Sequence, residues 1–228
     1  MNPGSADTTP STNGALLTHS ELDGVSVAAD WHQWIGAGRA PQFEGPRGDW
    51  LDGGWVEDLQ LLHQLGFDHL GLTIEWAVLE PNQGSHDQKA IERFRSLLDG
   101  AAELGLDVTA YLVDGSLPGW FAVDERGFSD DRSRTLLWPR HIEWVGETFG
   151  DQVSSWVPIR EPVHHAVRAN LLAMAPPGRA DAEDTGKAVK AMLLAEGEAW
   201  RVLRGSAPVA THQTARLFLP STDDVKAE

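Results

Sequence analysis

The chain has 228 residues, 41% of them hydrophobic, and its 18 Lys and Arg against 34 Asp and Glu give a net charge of −16. That length and apolar fraction suffice for one sizeable core, while so acidic a surface repels nucleic acid and anionic lipid and argues against both as partners. With no cysteine, disulfides and thiolate metal sites are ruled out, and a reducing, cytoplasmic setting is the expectation.

The segment from Met1 to Gly14 lacks the basic start and apolar core of a secretory signal. Residues 1–20 are small, polar and rich in Pro, Ser and Thr, a composition that predicts a disordered tail. Val25–Ala29 is a short strand candidate, followed by the cluster Asp30-Trp31-His32-Gln33-Trp34 and a Gly- and Pro-rich loop. Apolar residues at helical spacing predict a helix from Trp55 to Leu65, which Gly66 closes. His69–Ile74 reads as a buried strand, Pro81–Gly84 as a turn, and Gln88–Leu104 as an amphipathic helix stopped by Gly105.

The same order then recurs. Leu106–Val113 is a strand, Asp114–Gly119 a loop, Pro139–Phe149 a helix and Ser154–Ile159 a strand. A loop through Pro176-Pro177-Gly178 leads to a long helix, Asp181–Leu203, and Pro208–His212 is a fifth strand candidate. Residues 221–228 form a polar tail, so the predicted domain spans residues 21–220. Strands alternating with helices imply βα units on a parallel sheet. No Gly-x-Gly-x-x-Gly follows the first strand and no Walker-type loop is present, so no nucleotide or other cofactor is expected. The fold class is α/β: a partial TIM (β/α)8 barrel of about five βα units around a curved parallel sheet. No run of apolar residues reaches the roughly 20 needed to span a bilayer.

The chemistry centres on Ile159-Arg160-Glu161-Pro162. Proline lacks the N–H for a further ladder bond, which predicts a strand stop there and puts Glu161 on the barrel face that carries catalysis. A solvated glutamate before a turn is the alternative. Adjacent His164 and His165 point in divergent directions on any regular element. They make a poor ligand pair, and no metal site is expected.

Several segments, in order, resemble the N-terminal half of glycoside hydrolase family 1, the β-glucosidases and their relatives. Ala28–Gly36 resembles a first-strand motif whose glutamine, here Gln33, binds the sugar, and Trp34 and Trp120 are further candidate sugar contacts. Leu72-Thr73-Ile74-Glu75-Trp76 with Glu80-Pro81 resembles the second-strand motif. Val108–Tyr111 with Leu117–Trp120 resembles the third, and Glu161-Pro162 the fourth, where the family writes Asn-Glu-Pro. The resemblance implies a retaining hydrolysis of O-glycosidic bonds by two glutamates, whose carboxyls sit about 5 Å apart. It implies Glu161 as the acid/base and a β-glycoside as the ligand.

The sequence also departs from that pattern. The motif's Asn is Arg160, its second-strand Arg falls on Gly71, its third-strand His falls on Leu112, and no segment matches the nucleophile motif. A cation next to Glu161 favours the ionised carboxylate, the wrong direction for a general acid. The expectation is therefore a glycosidase-like protein of weak or no activity. The alternative is a non-catalytic sugar-binding or structural half-barrel, forming a homo-oligomer or pairing with a second half-barrel chain. Glu75 and Asp114 are the remaining carboxylates near strand ends.

Overall fold

The computed structural model describes residues 53–114, 117–173 and 180–214. The two predicted tails, the strand candidate Val25–Ala29, Gln33 and Trp34 lie outside the described residues. In chain order the elements are α1 (Trp55–Gln64), β1 (His69–Thr73), α2 (Trp76–Leu79), α3 (Gln88–Glu103), β2 (Asp107–Tyr111), α4 (Trp138–Phe149), β3 (Ser155–Val157), α5 (Pro162–Ala166) and α6 (Ala182–Leu203).

The strands form one parallel sheet in the order β1-β2-β3, with Leu70 opposite Val108 and Ala110 opposite Trp156. The predicted fifth strand continues the sheet as two parallel bridges, Val209 to Trp156 and Arg160 to His212. This is the expected partial α/β barrel, and each neighbouring pair of strands is joined through a helical crossover.

Local chemistry sets these elements. α3 starts where the Asp87 carboxylate accepts from the amides of Lys89 and Ala90, at 2.9 and 3.1 Å. Asp181 does the same for Glu183 and Asp184 at the start of α6, and each such cap is worth about 1 kcal/mol. β3 stops at Val157, short of the expected Ile159, because Pro158 has no N–H to give. Pairing nevertheless persists, since Val113 donates to the Pro158 carbonyl at 3.1 Å and Arg160 donates to Val113 at 2.8 Å. The expected loop after Glu161 is instead helical in its first ten residues. Pro162 takes the first helical position, where a missing N–H costs nothing. α5 then widens into a π-helical turn over Val167–Leu171.

The two faces of the sheet differ. Leu70, Leu72, Ile74, Val108, Ala110 and Trp156 pack into the core with Leu97 and Leu98 of α3, Ile142 and Val145 of α4, and Ala195 and Ala199 of α6. The buried Trp138 indole donates to the Ala195 carbonyl at 2.9 Å and pins α4 to α6. On the opposite face, His69, Thr109 and Ser155 form a hydrogen-bonded row across the three strands, each link 2.7 Å. Above it the Tyr111 ring covers Gly71: a Cβ at residue 71 would lie 2.8 Å from Tyr111 Cε2. The period of two along β1 places Gly71, Thr73 and Glu75 on this same interior side. Among the described residues no helix is long and apolar enough to cross a membrane.

Candidate active site

The carboxyl ends of the strands carry the ionisable residues. Glu161 follows β3 by four residues and caps α5 in a left-handed conformation, φ 49° and ψ 56°. A non-glycine residue held there stores strain, a feature concentrated at functional positions. Its backbone is fixed on both sides: the Glu161 N–H donates to the His212 carbonyl at 2.9 Å, and the His165 N–H donates to the Glu161 carbonyl at 2.9 Å.

The Glu161 carboxylate is also claimed. One oxygen accepts from the Thr214 hydroxyl, and the other lies 3.0 Å from His164 Nδ1. The Thr214 hydrogen bond is the chief reason the Glu161 pKa falls below the ordinary glutamate value. The hydrogen bond and charge of His164 and the charge of Arg160 add to this, against partial burial, which opposes it. The sequence predicted the direction from Arg160 alone. The structure keeps that direction and gives the leading part to Thr214.

Arg160 faces elsewhere. Its guanidinium meets the Asp114 carboxylate at 2.7 Å and lies 5.3 Å from the centre of the Tyr111 ring. Tyr111 in turn tilts against His212 at 5.8 Å. At Gly71 the Tyr111 ring lies against the backbone, with the Arg160 cation stacked on it. Such a pair is worth about 0.5–1 kcal/mol at a wet site and more where desolvated.

The other sequence candidates are placed as follows. Glu75 follows β1 by two residues, at the start of α2, and is 2% exposed, and Asp114 is engaged by Arg160. Trp120 is half-buried, its indole donating to the Glu80 carbonyl at 2.9 Å and its ring edge-on to Trp76 at 5.5 Å. Glu80 itself accepts from the Trp76 indole at 2.7 Å and from the Gly84 amide at 2.6 Å. His164 is exposed against Glu161 whereas His165 is buried, so the two rings diverge as adjacent positions must. Among the described residues no three His, Asp or Glu side chains converge as a metal site.

Sequence reasoning missed three partners in this site. The Glu161–His164 contact had a readable signal, since residues three apart at a helix start share a face. Thr214 had none, because 53 positions separate it from Glu161. The Tyr111–Arg160 stack depends on Gly71, which no local pattern connects to them.

Against known proteins, the family model described as Glycosyl hydrolase family 1 matches residues 53–220. β-Glucosidase A of Thermotoga maritima is 26% identical over 151 residues, 66% of this chain and 33% of that protein. The human cytosolic β-glucosidase is 27% identical over 153 residues, 65% of this chain and 32% of that protein. The chain thus spans about a third of the length of these relatives. A β-glycosidase from Pyrococcus horikoshii superposes with a TM-score of 0.76 at 24% identity, over 86% of this chain and 45% of that one. The β-glucosidase of Exiguobacterium antarcticum gives 0.71 at 25% identity, over 78% and 40%. With a matched segment that takes in all the strands described above and the Glu161 corner, the chain belongs to glycosyl hydrolase family 1.

Proposed function

We propose that this chain binds a β-glycoside at the carboxyl ends of its strands and hydrolyses it weakly or not at all. The observation that carries this reading is the double hydrogen bonding of the Glu161 carboxylate by Thr214 and His164. Both contacts stabilise the ionised form, whereas an acid that protonates a glycosidic oxygen works with a raised pKa. Arg160 points the same way, standing where the family's motif has Asn. The sugar contacts assigned to Gln33, Trp34 and Trp120 come from the resemblance. The relatives' names supply β-glucosides as the substrate class.

Two further parts belong to this reading. A double displacement needs a second carboxylate, for which a separate half-barrel chain is the proposed source; self-association into a homo-oligomer is proposed independently of catalysis. The cysteine-free sequence and the name of the human relative support a cytosolic location.

A chromogenic aryl β-glucoside tests the proposal. Incubated with the native protein and with Glu161→Gln, it is expected to release little or no more aglycone in the first than in the second. Glucose-dependent quenching of Trp fluorescence is expected in both. Turnover well above the variant, or no sugar response at all, would overturn the reading.

A further inference from the structure

The outward side of α6 carries a continuous row of exposed residues: Gly186, Lys190, Leu193, Gly197, Trp200 and, just past the helix, Arg204. Steps of three and four keep all six within a stripe about 80° wide on the helix surface. Leu193 is 46% exposed and Trp200 45%, with Leu194 beside them at 47%. Large apolar side chains grouped on one face mark a contact surface, unlike the single exposed residues of ordinary monomers. The opposite side of the same helix, with Met192, Ala195 and Ala199, is already packed in the core.

The two glycines show what the stripe is shaped for. Glycine inside a helix weakens it relative to alanine, yet a Cβ added at Gly186 or Gly197 would meet nothing within 4 Å. Packing within the chain therefore gives no reason for either. Each leaves a hollow that receives a bulky side chain from outside. Gly186 and Trp200 stand seven residues to either side of Leu193. A second copy of α6, laid antiparallel about a two-fold axis at Leu193, sets the Trp200 of each copy over the Gly186 of the other.

Charge selects the same arrangement. The chain carries a net −16, which opposes self-contact over most of its surface, but residues 182–204 hold four acids and four bases. Those on the outward side divide by end, with Glu183 in the first turn and Arg201 in the last. The two are about five turns apart and so lie on the same flank of the stripe. Like flanks meet in an antiparallel pair, which brings Glu183 opposite Arg201 of the second copy and opposes the helix dipoles favourably. A parallel pair would set acid on acid and base on base. Glu183 also holds Lys187 at 2.7 Å, and a carboxylate has lone pairs for both cations. We propose that the chain forms a two-fold dimer through this face of α6, antiparallel about Leu193. The proposal rests on the self-association inferred above and not on sugar binding.

Sedimentation equilibrium of the full chain is expected to show a monomer–dimer equilibrium with a Kd on the order of 1–100 µM, in keeping with a contact of one helix pair. Trp200→Ala is expected to weaken it about tenfold or more. Glu183→Arg is expected to weaken it about fivefold, and the double variant with Arg201→Glu to restore it, as only an antiparallel pair allows. With no native cysteine, Leu193→Cys supplies a single thiol, expected to lock the dimer as a disulfide on mild oxidation. Leu61→Cys, exposed on α1, is expected to stay monomeric at the same concentration. A monomer at about 1 mM overturns both this proposal and the self-association it rests on. A dimer unaffected by Trp200→Ala, unrestored by the charge exchange, or crosslinked no better at residue 193 than at residue 61 overturns the α6 face alone.

Discussion

Gly71→Ala is a change of one methyl group with a computable consequence. The new Cβ would lie 2.8 Å from Tyr111 Cε2, 3.1 Å from its hydroxyl oxygen and 3.3 Å from Cζ. Tyr111 is 6% exposed, with Arg160 over its face and His212 against it, so the ring has no free space to enter. It must swing off β1, and the Arg160 guanidinium stacked on it must move too. Overpacking of this kind costs about 1–3 kcal/mol. A domain of this size loses about 2–4 °C of Tm per kcal/mol, so thermal unfolding followed by circular dichroism should show a fall of roughly 2–12 °C. The cost is conditional on the Tyr111 ring. In a Tyr111→Leu background the space is already open, and the same Gly71→Ala change should cost under about 0.5 kcal/mol. An unchanged Tm in the single variant, or an equal cost in both backgrounds, refutes the claim that Tyr111 fills the space over Gly71.

Three other predictions rest on different parts of the molecule. Burial lowers the pKa of His141 and takes that of His165 to about 4, below the unfolded value of 6.5, so the folded state binds fewer protons. Stability is then full above pH 6.5 and declines as pH falls towards 4. The His165 share is about 3 kcal/mol, and urea midpoints of His165→Phe should fall less steeply over that window than those of the native chain. Glu196 behaves in the opposite sense: burial raises its pKa to about 7, so its ionisation costs stability as pH rises from its unfolded value of 4.5 through 7. Glu196→Gln should therefore stabilise the protein by about 1–2 kcal/mol at pH 8 and by little at pH 5, as read from urea midpoints at the two values. Asp87→Ala removes the cap of α3 and should cost about 1 kcal/mol in chemical denaturation.

Much of the scaffold was legible because its signals are local. The apolar spacing and the closing Gly105 place α3 within a residue of the structure, and the helix read from Asp181 has that residue as the cap of α6. β1 and β2 announce themselves as short apolar runs between glycine-closed helices. Where a stretch carries two conflicting local signals, the reading failed. Val163–Leu172 looks like a loop because proline precedes it and a proline-rich stretch follows. Proline at the first helical position starts a helix as readily as it ends a strand. The site was legible as a position and less so as an environment. The strand-end placement of Glu161 follows from sequence order, but what holds its carboxylate is Thr214, brought up by the return of the chain past β3. Trp120 shows the same limit. A tryptophan after Leu-Pro-Gly suggests a sugar platform, whereas its burial and its bond to Glu80 depend on how α2 packs.

The central claim is that Glu161 stands at the acid/base position of a family 1 scaffold as an ionised carboxylate. The most direct measurement is an NMR pH titration of the glutamate side-chain carboxyl carbons, with the Glu161 signal assigned by its absence in Glu161→Gln. The expected midpoint lies below the ordinary glutamate value of 4.5 and moves upward in Thr214→Val. A Glu161 signal still protonated at pH 6 would contradict it.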